Sequence, residues 1–76
     1  MTGFEIVQEA LGRLDSANGR IVLDFSPVDR IDSRGLRALE GLIASAATKG
    51  IDVAIHSANV GVYKVLKLAN LKWHAI

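Results

Sequence analysis

The segment Asp29-Arg30-Ile31-Asp32-Ser33-Arg34-Gly35-Leu36 packs charges, one hydroxyl and a glycine into eight positions. Asp32 and Ser33 are good residues for a helix start, because a side-chain oxygen there accepts from the free N–H groups of the first turn. The segment therefore predicts a helix N-terminus, where unpaired N–H groups favour negative charge. Two chemistries fit it. In one, Asp32 caps the helix and Ser33 is a solvated first-turn residue. In the other, Ser33 is a regulatory phosphorylation site or a contact at a protein interface. A phosphoserine carries about −1.5 to −2 charges and three acceptor oxygens, and Arg30, Arg34 and Arg37 are near enough in sequence to partner them. Asp24 ends the apolar run just upstream. In open parallel sheets functional groups gather beyond the carboxyl ends of strands, so Asp24 is expected on the same edge.

Other constellations carry less. His56 and His74 are lone histidines without cysteine or a tight carboxylate spacing, so no metal ligand set is expected. Asp24, Asp32 and Ser33 suggest a hydrolase only superficially: no motif positions a base, and the G-x-S-x-G elbow is absent. There is no P-loop and no G-x-G-x-x-G. No catalytic residue and no cofactor is assigned. Lys64, Lys67 and Lys72 read as a solvated face, Trp73 as a residue closing the core. Gly41 in mid-helix costs about 1 kcal/mol relative to Ala, which would suit close approach of a neighbour.

The elements that must position these residues follow from periodicity. Phe4, Val7, Leu11 and Leu14, with Ala10, mark a helix at about residues 3–17, opened by the capping box of Thr2 and Glu5 and stopped by Asn18-Gly19. Arg20 to Phe25 is a nearly continuous apolar run, as in a parallel strand buried on both faces. Pro27 bars continuation of the ladder. Leu36, Leu39, Ile43 and Ala46 form the stripe of a second helix, ended by Lys49-Gly50. Ile51 to Ile55 is a second strand. Asn59 caps a third helix bearing Val62, Val65, Leu66 and Ala69, closed by Asn70, and Trp73 to Ile76 is a last short strand. Alternation of this kind builds an α/β fold, a small, mostly parallel sheet with helices packed on it. The core is expected at Ile21, Leu23, Leu36, Leu39, Ile43, Val53, Ile55, Val62 and Leu66.

Composition sets bounds. With 76 residues the chain reads as one domain, residues 1–76. A domain of this size buries only roughly 60–65% of the surface of its unfolded chain. Half of the residues are hydrophobic and only 5% aromatic, so the core is aliphatic. Mean hydropathy is +0.29, which signals a large core or apolar surface meant for a partner. A net charge of +1 argues against a nucleic-acid binder. The sequence has no cysteine, no signal-peptide core and no apolar run near the ~20 residues that cross a bilayer. A cytoplasmic location is expected.

The run Val22-Leu23-Asp24-Phe25-Ser26-Pro27-Val28-Asp29-Arg30-Ile31-Asp32-Ser33-Arg34-Gly35-Leu36 resembles the core signature of STAS domains, the anti-sigma-factor-antagonist family. There an apolar strand ending in Asp leads through a short loop to a D-S/T-x-G-L helix start. Lys49-Gly50, the strand 51–55 and the helix from Val62 to Leu71 are also similar to the family's later elements. The resemblance implies a non-enzymatic, regulatory protein-protein interaction module. Its partner would be an anti-sigma factor or related serine kinase, met through Asp24, Arg30, Asp32, Ser33, Arg34, Gly35 and Arg37, with Ser33 as the phosphosite candidate. In most such antagonists the phosphorylated serine is the second residue after the Asp, and that position here is Arg34. Ser33 instead matches the position used in stressosome scaffold proteins. It also matches a threonine of the small STAS subunit of bacterial phospholipid-trafficking ABC transporters. That second resemblance implies docking on a transporter ATPase, with Ser33 as a constitutive contact.

Full STAS domains begin with two β-strands before the first helix, whereas this chain begins at the helix, so the fold is expected to be N-terminally shortened. Residues 20–25 would then form an edge strand without Lys or Pro to discourage pairing. A homodimer through that edge or through helix 3–17 is expected.

Overall fold

The structure, a computed structural model, describes residues 3–69 and 71–76. The expected cap at Thr2 and closure at Asn70 lie outside these residues. The order is α1 (Gly3–Arg13), a 3-10 turn (Leu14–Ser16), β1 (Arg20–Asp24), α2 (Ser33–Thr48), β2 (Asp52–His56), α3 (Val60–Leu68) and β3 (His74–Ala75). Gly19 and Gly50 hold φ of 86° and 69°, a conformation open to glycine without steric cost. They turn the chain out of the first two helical segments into β1 and β2.

The sheet has the order β1-β2-β3, all parallel, with Ile21 beside Val53, Leu23 beside Ile55, and Ile55 beside Ala75. Both crossovers step the same way across the sheet, so a common hand places α2 and α3 on one face. The buried residues agree: Val7, Ala10 and Leu14 of the first helical segment, Leu39, Leu42 and Ala46 of α2, and Val62 and Leu66 of α3 share one cluster with Ile21, Leu23, Val53 and Ile55. Phe25 and Val28 close it below the loop that follows β1.

This one-sided packing corrects the expectation that β1 is buried on both faces. Its residues alternate: Ile21 and Leu23 are buried, while Arg20, Val22 and Asp24 are exposed, Val22 by 50%. No helix among the described residues lies over the second face at β1, so the apolar run carries one outward valine. Helix α2 also turns slightly from the expected stripe. Its innermost residues are Gly35, Leu39, Leu42 and Ala46, and Leu36 and Ile43 flank them half-buried. The remaining expected core residues are buried. Trp73 packs half-buried against the core and meets Tyr63 edge-on at 5.7 Å. No helix among the described residues is long and apolar enough to cross a membrane.

Leu39 is fully buried at the centre of α2. Leu39→Ala should cost about 2–5 kcal/mol, a large part of a total on the order of 5–10 kcal/mol. Urea denaturation checks this; an unchanged midpoint would mean that α2 is not packed as described.

Candidate functional site

The carboxyl end of β1 leads into a tightly tied loop. Asp24 Oδ1 accepts from Ser26 N–H at 3.0 Å, and Val28 N–H returns to the Phe25 carbonyl at 2.9 Å. The Ser26 hydrogen bonds, chiefly the backbone one, hold the Asp24 carboxyl below its usual range. Asp24 is exposed, so ionisation there stabilises the fold only weakly. That contribution is present above the ordinary carboxylate range and fades as pH falls through the lowered value.

From across the sheet, Asn59 fixes the middle of the loop. Its side-chain N–H groups donate to the carbonyls of Val28 and Asp29 at 3.2 and 3.0 Å, while its Oδ1 accepts from Val62 N–H at 2.8 Å. One side chain thus caps α3, as expected, and also clamps the approach to α2. Ser57, at φ 62°, turns the chain after β2 toward Asn59.

Helix α2 starts as its sequence predicts. Asp32 is the N-cap in extended conformation, and its carboxylate accepts from Gly35 N–H at 2.9 Å. Ser33 is the first helical residue; it is exposed, and its hydroxyl has no hydrogen-bond partner among the described residues. Gly35 is buried because α1 crosses here: a Cβ at this position would meet Ile31 Cγ1 at 3.0 Å and the backbone nitrogen of Phe4 at 3.2 Å. At Gly41, by contrast, a Cβ would find no atom within 4 Å among the described residues, so no neighbour there explains the glycine.

The three arginines are not equivalent. The Arg34 guanidinium lies 4.2 Å above the centroid of the Phe4 ring, a cation–π contact that ties the α2 start to α1. Arg37 is exposed four residues after Ser33, hence on the same helical face. Arg30 is exposed just before the cap. The structure therefore gathers Arg30, Asp32, Ser33, Arg34, Gly35 and Arg37 at one helix start. Asp24 stands apart, on the outward side of β1, with its carboxylate 3.9 Å from His56 Nδ1. Sequence reasoning does not find the Asn59 clamp or the Phe4 stack. Each joins residues about thirty positions apart, and no local pattern reports such a pairing.

What the arrangement offers chemically is a surface. A cleft of about 430 Å³ lies elsewhere, lined by Ile43, Ala47, Ile51, Trp73 and neighbours at the opposite end of the strands. Among the described residues no group of three or more His, Asp or Glu could hold a metal ion.

Comparison with known proteins gives two matches. The family model of the STAS domain matches residues 5–74. The crystal structure of a candidate anti-sigma factor antagonist from Thermotoga maritima is similar with a TM-score of 0.72 and 31% sequence identity, covering 82% of this chain and 55% of that one. The chain thus spans little more than half the length of that solved relative. No curated protein matches.

The two α2 glycines should respond oppositely to alanine. At Gly35 the new methyl crowds the Phe4 backbone, and overpacking of this kind costs about 1–3 kcal/mol. At Gly41 the exposed helix should gain roughly 0.5–1 kcal/mol. Asp32→Ala should lose about 0.5–2 kcal/mol with the cap. Thermal melts of the three variants check all of this; stabilisation by Gly35→Ala would contradict the close approach of α1.

Proposed function

Because the chain belongs to the STAS domain family, we propose that it is a single-domain regulatory module that binds an anti-sigma-factor or serine-kinase-type protein through the start of α2. Ser33 is its phosphorylation switch. The observation that carries the reading is the contrast within one helical turn. Asp32, Gly35 and Arg34 are held by the cap, the α1 crossing and the Phe4 ring, while the Ser33 hydroxyl stands exposed among them. A kinase can reach such a hydroxyl without unfolding anything.

The electrostatics support a switch that acts on the partner and not on the fold. A phosphate at a helix N-terminus favours the helix. Around Ser33, Arg30, Arg34 and Arg37 stand against Asp29 and Asp32, and about −1.5 to −2 added charges invert that balance. A partner shaped for the neutral serine would then meet an anionic surface. The role is binding, with no catalytic step, and belongs to transcriptional regulation in a bacterial cytoplasm.

Ser33→Asp should weaken binding to an anti-sigma-factor kinase of the same host, and Ser33→Ala should leave it intact while abolishing phosphate transfer from ATP. Calorimetry and radiolabel transfer measure the two effects. Equal affinity of both variants would reduce the α2 start to a constitutive contact and defeat the switch.

A further inference from the structure

The free edge of β1 is complementary to itself. Phe25 N–H donates to the His56 carbonyl, and Asp52 N–H donates to the Gly19 carbonyl. In a parallel ladder bonding groups alternate along the strand, so the odd-numbered residues of β1 bond to β2. The N–H and C=O groups of Arg20, Val22 and Asp24 therefore point away from the sheet, and β1 is its terminal strand. Side chains of the same residues lie on the open face: Val22 is half exposed, and Arg20 has no ion-pair or hydrogen-bond partner among the described residues.

We propose that two copies of this chain pair antiparallel along β1 about a two-fold axis at Val22, setting Arg20 of each against Asp24 of the other. The register follows from the strand alone. Centred on Val22, an antiparallel pair places Val22 opposite Val22 and Arg20 opposite Asp24, and these are the residues whose backbone groups are free. All of them bond across the axis, and opposite charges directly facing each other on one side of the pair attract. A shift by two residues along the strand would break both charge pairs. The strand has no lysine or proline to oppose pairing. The axis is isologous, so the assembly closes at two copies. This inference is independent of the proposed role of Ser33, and antiparallel pairing points the two α2 starts to opposite ends of the dimer.

Sedimentation equilibrium of the 76-residue chain at micromolar concentration tests it. The expected mass is twice 8.1 kDa. Arg20→Asp and Asp24→Arg each set like charges opposite one another twice and should weaken the dimer by about tenfold or more. Mixing the two variants, or combining both changes in one chain, restores opposite pairs and should restore the dimer. Val22→Lys, at a half-exposed position that leaves the core untouched, should also give monomers, with an unchanged melting curve; it decides the matter should the Asp24 variant fail to fold. A monomer at every concentration, including one whose edge is covered by a preceding segment of a longer chain, overturns the proposal. So does a dimer indifferent to these changes, which would place the contact on another surface.

Discussion

A parallel sheet whose crossovers all step one way has a single face against which its helices can pack, and the other features of this domain depend on that constraint. Ile21, Leu23, Val53 and Ile55 meet the buried residues of all three helices in one cluster. The second face stays open at β1, and so does the strand's outer edge. The chain therefore separates two surfaces early in the fold. One is a bare strand, Arg20–Asp24; the other is the helix start that follows it.

The helix start is rigid because its ties come from three directions. Asp32 satisfies the first turn locally, Asn59 holds the preceding loop from the α3 side, and α1 crosses so closely that only glycine fits at position 35. Arg34 over Phe4 adds a contact from the same helix. Rigidity matters to recognition because a preorganised surface loses less entropy on binding. A reversible charge on such a surface changes what can dock without changing the fold that presents it.

Much of this is legible in the sequence, and the parts that are not share a cause. The element order, the Asp32 cap and the Asn59 cap are local matters of periodicity and capping, and the D-S-x-G-L start resembles its family closely enough to give the fold. The burial of β1 misleads because Ile21, Val22 and Leu23 are all apolar, so composition hides an alternation that only the absent helix layer reveals. The α2 stripe falls one position away from its expected place because Leu36 and Ile43 flank Leu39 and Leu42 and all four are apolar. Gly35 is visible as a motif residue, but the reason for it, the Phe4 backbone, lies some thirty residues away. Arg30, Arg34 and Arg37 look alike in sequence, and only the Phe4 ring distinguishes one of them.

The central claim is that a protein partner docks on the start of α2. Site-specific photo-crosslinking in the native host tests it most directly, with a photoreactive residue placed in turn at Ser33, Arg37 and, on the exposed end of α3, Leu68. The account predicts that positions 33 and 37 join the same discrete protein, a regulator of the anti-sigma-factor or kinase type, and that position 68 does not. A discrete adduct from position 68 with none from 33 or 37 would contradict it.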